Sequence, residues 1–84
     1  MRKFNQKSNV SGNIIETKRN EKGLTREDLA KELQLLGLNV DRHYVYRVEK
    51  QSVLLKDFEL FAFSKILDID LNRLKSIFDE NKTT

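Results

Sequence analysis

The chain has 84 residues, of which 38% are apolar and 35% are charged, and it contains neither cysteine nor proline. This length fits one small domain, and the lack of cysteine excludes disulfide frameworks, thiolate metal sites and thiol catalysis. With His43 as its single histidine, the chain has too few nitrogen and sulfur ligands for a zinc cluster. No stretch approaches the roughly 18–20 apolar residues that a membrane span needs, so we expect a cytoplasmic protein without membrane contact.

Basic charge is concentrated in the first two thirds of the sequence. Residues 1–56 carry 12 Lys and Arg against 7 Asp and Glu, whereas residues 57–84 carry 4 against 6. This split indicates that the first part meets a polyanion and that the last part serves another purpose. Because no nucleophile–base pair, glycine-rich phosphate loop or confined carboxylate pair is visible, we expect no enzymatic activity, cofactor, metal or small-molecule ligand.

The chain begins with a polar segment followed by a first predicted helix. Residues 1–12 contain basic and small polar side chains without an apolar period, so we expect a flexible basic arm. The run from residue 13 to residue 22 is typical of a helix. It ends before Gly23, which accepts the left-handed backbone of a helix C-terminus.

Two capped helices are predicted next, at about residues 25–36 and 41–50. Thr25 and Asp41 are suitable N-caps, and an apolar stripe that ends at Leu36 faces the core from the first of these helices. On the second helix, Tyr44, Val45 and Val48 cluster on one side. The opposite side holds five polar side chains that can donate hydrogen bonds: Arg42, His43, Tyr46, Arg47 and Lys50.

The last third of the chain predicts two further helices, which complete a domain over residues 13–80 before a tail at residues 81–84. Helix 4 spans about residues 57–67, and Asp70 caps helix 5. Helix 4 is apolar on two sides, so its second side is either an additional internal layer or a contact surface for a dimer. The aromatic and apolar side chains that we select as dimer candidates are Phe58, Phe61, Ile77 and Phe78.

Helices 2 and 3, joined by a tight turn near Gly37, match a helix-turn-helix pattern. An α-helix fits the major groove of DNA, where Arg can donate two hydrogen bonds to guanine, and the start of helix 2 offers free N–H groups to a phosphate. Periodicity alone is also compatible with a merely solvated polar face. A third alternative is a helical module that binds an acidic protein surface or another regulator.

A series of short motifs between Asn13 and Phe78 carries a more specific indication. The motifs are Ile15, KRNEKGLT from Lys18 to Thr25, Leu29-Ala30, VYRVE from Val45 to Glu49, DFEL from Asp57 to Leu60, ILDI from Ile66 to Ile69, and Leu74. Together they resemble the Cro and lambda-repressor type (XRE) helix-turn-helix family. The resemblance implies a compact, all-α, five-helix lambda-repressor-like domain that binds double-stranded operator DNA. It further implies a bacterial or phage transcriptional regulator, usually a repressor, that acts as a homodimer on an inverted repeat.

The resemblance also assigns roles to individual residues. It implies that the base-reading side chains are Arg42, His43 and Arg47, with Tyr46 beside them. It implies that the phosphate contacts are Thr25, Arg26, Lys50 and Gln51. Arg19 and Glu49 match positions that form an internal ion pair between helices 1 and 3 in this family.

Three features depart from the pattern of the family. The segment from Gln34 to Asn39 is about five residues longer than the usual turn, which resembles a subgroup with an extended helix 2. Gln51 stands where glycine is common, and Lys56 stands where a Ser or Thr cap is expected. The longer segment bears on how deeply helix 3 would enter a groove.

Overall fold

The structure, a computed structural model, describes residues 7–80 of the chain apart from the side chain of Ile77. This part of the chain is mostly helical and has no strand, in agreement with the predicted all-α class. The five helices are α1 (Gly12–Glu21), α2 (Arg26–Leu35), α3 (Arg42–Glu49), α4 (Asp57–Leu67) and α5 (Leu71–Glu80). None of the helices described has the length and apolar character needed to cross a bilayer.

Side-chain caps position the starts of α2 and α3. Thr25 Oγ1 accepts a hydrogen bond from the Asp28 N–H at 3.0 Å, and the Asp28 carboxylate accepts one from the Thr25 N–H at 3.0 Å. The Asp41 carboxylate accepts a hydrogen bond from the Tyr44 N–H at 3.0 Å. These backbone donors hold the pKa of both Asp28 and Asp41 below its ordinary value, because they stabilise the ionised carboxylates. Both predicted N-caps, Thr25 and Asp41, are confirmed.

The start of α4 is stabilised without a Ser or Thr cap. The Glu59 carboxylate accepts a hydrogen bond from the Lys56 N–H at 2.9 Å, which is the half of a capping box that the third helical residue provides, while the Lys56 side chain makes no cap hydrogen bond. At the start of α5, the Asp70 carboxylate accepts a hydrogen bond from the Asn72 N–H at 2.9 Å. The predicted bounds of α4 and the predicted cap of α5 are therefore confirmed.

The core lies where α1, α2, α3 and α4 meet, and the α4–α5 connection and α5 add two side chains to it. The Tyr44 ring stacks on that of Phe63, with the centroids 6.1 Å apart. Burial, together with the neighbouring Glu59 carboxylate, raises the pKa of the Tyr44 hydroxyl, which therefore stays neutral. The buried apolar side chains are Ile15, Leu29, Ala30, Leu33, Val45, Val48, Ala62, Phe63, Leu67, Ile69 and Leu74.

The apolar stripe of α2 is one turn shorter than predicted, because Leu36 does not belong to it. The last helical residue is Leu35, and Leu36 is the C-cap with 42% of its surface exposed. The three-residue spacing from Leu33 to Leu36 would place both side chains on one face only if the helix continued beyond that point. The packed stripe therefore consists of Leu29, Ala30 and Leu33 alone.

The segment before α1 packs against the end of α3, whereas we predicted a flexible arm through residue 12. The Asn9 side chain is buried, and its Oδ1 accepts hydrogen bonds from the N–H groups of Ser11 and Gly12 at 3.2 and 2.9 Å. Its amide donates to the carbonyl oxygens of Val48 and Val53 at 3.2 and 2.8 Å. Four hydrogen bonds of one asparagine thus position the start of α1. The first part of the predicted arm, which includes the basic residues Arg2 and Lys3, lies outside the described residues, as does the predicted tail at 81–84.

Candidate nucleic-acid interface

The outer face of α3 has the composition that its periodicity predicts. The side chains of Val45 and Val48 are completely buried on the inner side. No carboxylate of α3 lies on the outer side, because the one acidic residue of this helix, Glu49, is buried. We define the α3 outer face by its five exposed side chains: Arg42, His43, Tyr46, Arg47 and Lys50.

The ion pair that the resemblance implies is present and buried. Arg19 Nε donates to Glu49 Oε2 at 2.6 Å, and Arg19 Nη2 donates to Glu49 Oε1 at 3.2 Å. The same guanidinium donates through Nη1 to the Leu24 carbonyl oxygen at 2.8 Å. The two bonds to Glu49 join α1 to α3, because an arginine fork matches the two oxygens of a carboxylate. The bond to Leu24 joins α1 to the α1–α2 connection.

A second arginine, Arg26, binds the same carboxylate, a contact that the sequence did not predict. Arg26 Nε donates to Glu49 Oε1 at 2.9 Å, and Arg26 Nη2 donates to Glu16 Oε2 at 3.3 Å. Arg26 was predicted to contact phosphate, yet two of its guanidinium nitrogens are engaged within the protein. No short-range spacing could indicate the contact, since Arg26 and Glu49 are 23 positions apart.

The ring of Tyr46 contacts two cations, one from α2 and one from the end of α3. The Arg26 guanidinium carbon is 5.1 Å from the ring centroid, and Lys50 Nζ is 5.5 Å from it. Both distances fall within the range of a cation–π interaction. Tyr46 is 46% exposed, so part of its side chain remains open to solvent beside these two cations.

A cleft of about 510 Å³ separates the start of α2 from the α3 outer face. Thr25 lies at its rim and uses its hydroxyl oxygen as the acceptor of the N-cap bond, which leaves the hydroxyl proton for an outside acceptor. Among the seven lining residues, Glu27 is the one carboxylate, and Arg42 is the one arginine without an ion pair in the part of the chain that is described. The lining consists of Arg19, Thr25, Arg26, Glu27, Arg42, His43 and Tyr46.

A second cleft of about 440 Å³ borders the other edge of the same face, beside the long α2–α3 turn. Arg47 reaches this cleft from α3, and Asn39 reaches it from the turn. The α3 outer face is therefore framed on one edge by the start of α2 and on the other by the α2–α3 turn. The lining consists of Gln34, Asn39, Val40, Asp41, Tyr44 and Arg47.

The structure separates two neighbouring residues that were both predicted to contact phosphate. Lys50 is exposed on the α3 outer face. Gln51 is half-buried, and its side-chain amide donates to the Asn9 carbonyl oxygen at 3.2 Å, away from that face. Gln51 also has a φ of 61°, in the left-handed region that favours glycine.

The outer side of α4 exposes two large aromatic side chains. Phe58 and Phe61 are 55% and 56% exposed, and Leu54 in the preceding connection is 40% exposed. The Lys56 ammonium lies 5.8 Å from the centroid of the Phe58 ring. An internal layer over Phe58 and Phe61, one of the two alternatives from the sequence, is absent from the described residues.

The other two dimer candidates lie on α5. Phe78 is 39% exposed, and the side chain of Ile77 is outside the described residues. Leu71, at the start of α5, is 56% exposed.

Comparison of the chain with protein-family models, with curated protein sequences and with solved structures finds no match.

Proposed function

We propose that this protein binds double-stranded DNA sequence-specifically and regulates transcription, most simply as a repressor that occupies its operator. In this proposal α2, the turn and α3 act as a lambda-repressor-like helix-turn-helix, and α3 enters the major groove. The observation that carries the proposal is the α3 outer face, on which hydrogen-bond donors are exposed and no carboxylate of the helix accompanies them. Such a face suits a polyanion better than it suits a protein surface of mixed charge.

The α3 outer face has the chemistry that base recognition requires. The guanidinium groups of Arg42 and Arg47 can each donate two hydrogen bonds to the O6 and N7 atoms of guanine. His43 can donate or accept a hydrogen bond at a base edge, and the half-exposed Tyr46 side chain can contact a base or a sugar. These four residues are the proposed base readers.

The groups around this face are suited to contacts with the DNA backbone. The Thr25 hydroxyl and the first N–H groups of α2 can donate to a phosphate at the cleft between α2 and α3. Lys50 can supply a further contact to phosphate. We assign Arg26 a different role from the one implied by the resemblance, since its bonds to Glu49 and Glu16 fix its charge beside Tyr46.

The buried charges support the proposal by fixing α3 relative to α1 and α2. Glu49 binds Arg19 from α1 and Arg26 from α2 through one carboxylate. Base contacts require side chains held in position before binding, because each side chain that is ordered on binding reduces the affinity. We infer that this three-residue network holds the α3 outer face in a binding-ready orientation.

We further propose that the protein acts as a homodimer whose contact includes Phe58 and Phe61. These rings are more than half exposed, and the last third of the chain, in which they lie, has excess negative charge, which disfavours contact with DNA. Burial against a second copy would remove this apolar surface from water. A two-fold dimer would place the two α3 helices about 34 Å apart, so the operator would be an inverted repeat with half-sites about 10 base pairs apart.

Selection from a random duplex library, followed by affinity measurements at several salt concentrations, tests DNA binding. We expect one enriched motif with inverted symmetry. We also expect log K to fall with log salt with a slope of about −4 to −5 per protomer, as for four to six neutralised phosphates. A slope shallower than about −2, or no enriched sequence, would contradict the proposal and favour a module that binds an acidic protein.

The Phe61→Glu variant tests the proposed dimer. Sedimentation should show a monomer, and operator affinity should fall while the preferred bases stay the same, because the α3 outer face is untouched. Leu35→Glu is the matched control, since Leu35 is also an exposed apolar residue but lies on α2. If both variants sediment like the wild type, the contact does not include Phe61.

A further inference from the structure

We propose that the α2–α3 turn extends the base-reading surface and that Asn39 recognises an adenine next to the base pairs contacted by Arg47. This inference rests on the proposed DNA binding and adds to it a specificity residue outside α3. It starts from the juxtaposition of Asn39 and Arg47 in one cleft at the edge of the α3 outer face.

The turn is held in a defined shape by its own hydrogen bonds. The Gln34 side-chain amide donates to the Val40 carbonyl oxygen at 2.8 Å, which closes the segment between α2 and α3. The N–H groups of Gly37 and Leu38 donate to the carbonyl oxygens of Gln34 and Leu33 at 2.9 and 3.1 Å. Asn39 therefore projects from an ordered turn, and little conformational entropy of the backbone is lost when it binds.

The Asn39 side chain is exposed and available. Within residues 7–80 no hydrogen bond engages its amide, whereas the neighbouring Gln34 amide is used to hold the turn. An unengaged asparagine on an ordered turn keeps both its donor and its acceptor for a ligand. The lengthening of the turn thus places a free amide beside a proposed base reader.

The charges around Asn39 favour a base edge over a phosphate. The Asp41 carboxylate lines the same cleft, and it is held ionised by its bond from the Tyr44 N–H. This negative charge offsets that of Arg47, which lines the same cleft, so the surroundings of Asn39 carry little net charge to attract a phosphate. Asparagine forms two hydrogen bonds with the N6 and N7 atoms of adenine in the major groove, so an A·T pair is the expected target.

The test compares Asn39→Ala with wild type by selection from random duplex DNA and by affinity for the selected site and its single-base variants. Asn72→Ala is the control, because Asn72 is an exposed asparagine on α5. We expect Asn39→Ala to melt like wild type and to lose about tenfold of discrimination at one A·T pair. That pair should adjoin the positions at which Arg47→Ala relaxes base preference.

Three results would overturn the inference. An unchanged preference at every position would show that Asn39 reads no base. An equal loss of affinity for all duplexes would indicate a contact with phosphate instead. If the wild type binds no duplex selectively, the proposed function fails and this inference fails with it, whereas the first two results leave the proposed function intact.

Discussion

The two sides of α3 differ in how their polar groups are used. On the buried side, Glu49 is engaged by two arginines, and the carbonyl oxygens of Val48 and Glu49 lie against the start of α1. On the exposed side, no ion pair to a carboxylate engages Arg42, Arg47 or Lys50 within the described residues. The same eight-residue helix thus uses its polar groups to hold the fold together along one side and leaves them exposed along the other.

Substitutions on the two sides of α3 should therefore affect different measured quantities. A change on the buried side removes a contact that holds α1, α2 and α3 together, so it should lower the free energy of unfolding. A change at Arg42 or Arg47 on the exposed side removes no internal ion pair, so it should leave stability nearly unchanged and alter binding alone.

The largest expected effect is the loss of stability in Glu49→Ala. Removing this carboxylate leaves the buried Arg19 guanidinium without its counter-charge, which should cost about 3–5 kcal/mol of unfolding free energy. Glu21→Ala is the control, because it breaks the exposed pair with Lys18 and should cost about 0–1 kcal/mol. Thermal and urea unfolding measure both values. A Glu49→Ala protein that melts within a degree or two of wild type would contradict the buried pair.

The next effect concerns the close approach of α1 to the end of α3. A Cβ atom on Gly12 would overlap the Val48 carbonyl oxygen and lie 2.8 Å from that of Glu49. Both are backbone atoms, so Gly12→Ala should push the two helices apart and cost about 1–3 kcal/mol of stability in urea unfolding. Asn13→Ala, at the exposed neighbouring position, should change stability by less than about 0.5 kcal/mol. Equal stability of the two variants would mean that the helices separate without cost.

On the exposed side, Arg47→Ala should weaken binding and leave the fold intact. Loss of two hydrogen bonds to guanine should cost about 1–3 kcal/mol on the selected site and relax preference at one base pair. The charge-matched control is Arg73→Ala on α5, which should keep wild-type preferences. Fluorescence anisotropy on matched and mismatched duplexes measures both. An equal loss on selected and random DNA would remove Arg47 from the base readers.

The smallest expected effect belongs to Lys50→Ala. A contact to phosphate carries no sequence information, so affinity should fall by a similar factor for every duplex, and the salt slope should become shallower by about 1. Lys75→Ala removes the same charge from α5 and should leave the slope unchanged. A change of base preference in Lys50→Ala would instead place this lysine among the base readers.

The helices, their caps and the two sides of α3 could be predicted because each depends on residues within about four positions. Thr25 and Asp41 bond to N–H groups three residues ahead, and Val45 and Val48 share a face at a spacing of three. The pairing of Arg19 with Glu49 came from the resemblance and not from spacing. Local stereochemistry therefore determines the elements and the donor-rich α3 outer face.

Tertiary structure alone decided the long-range contacts, because these depend on how the helices cross. Asn9 bonds to carbonyl oxygens 39 and 44 positions away, and Arg26 joins Glu49 across 23 positions. The same packing turned the Gln51 amide toward Asn9 and left Leu36 outside the core. No local pattern carries the relative placement of two helices, since it results from the combined packing of the whole core.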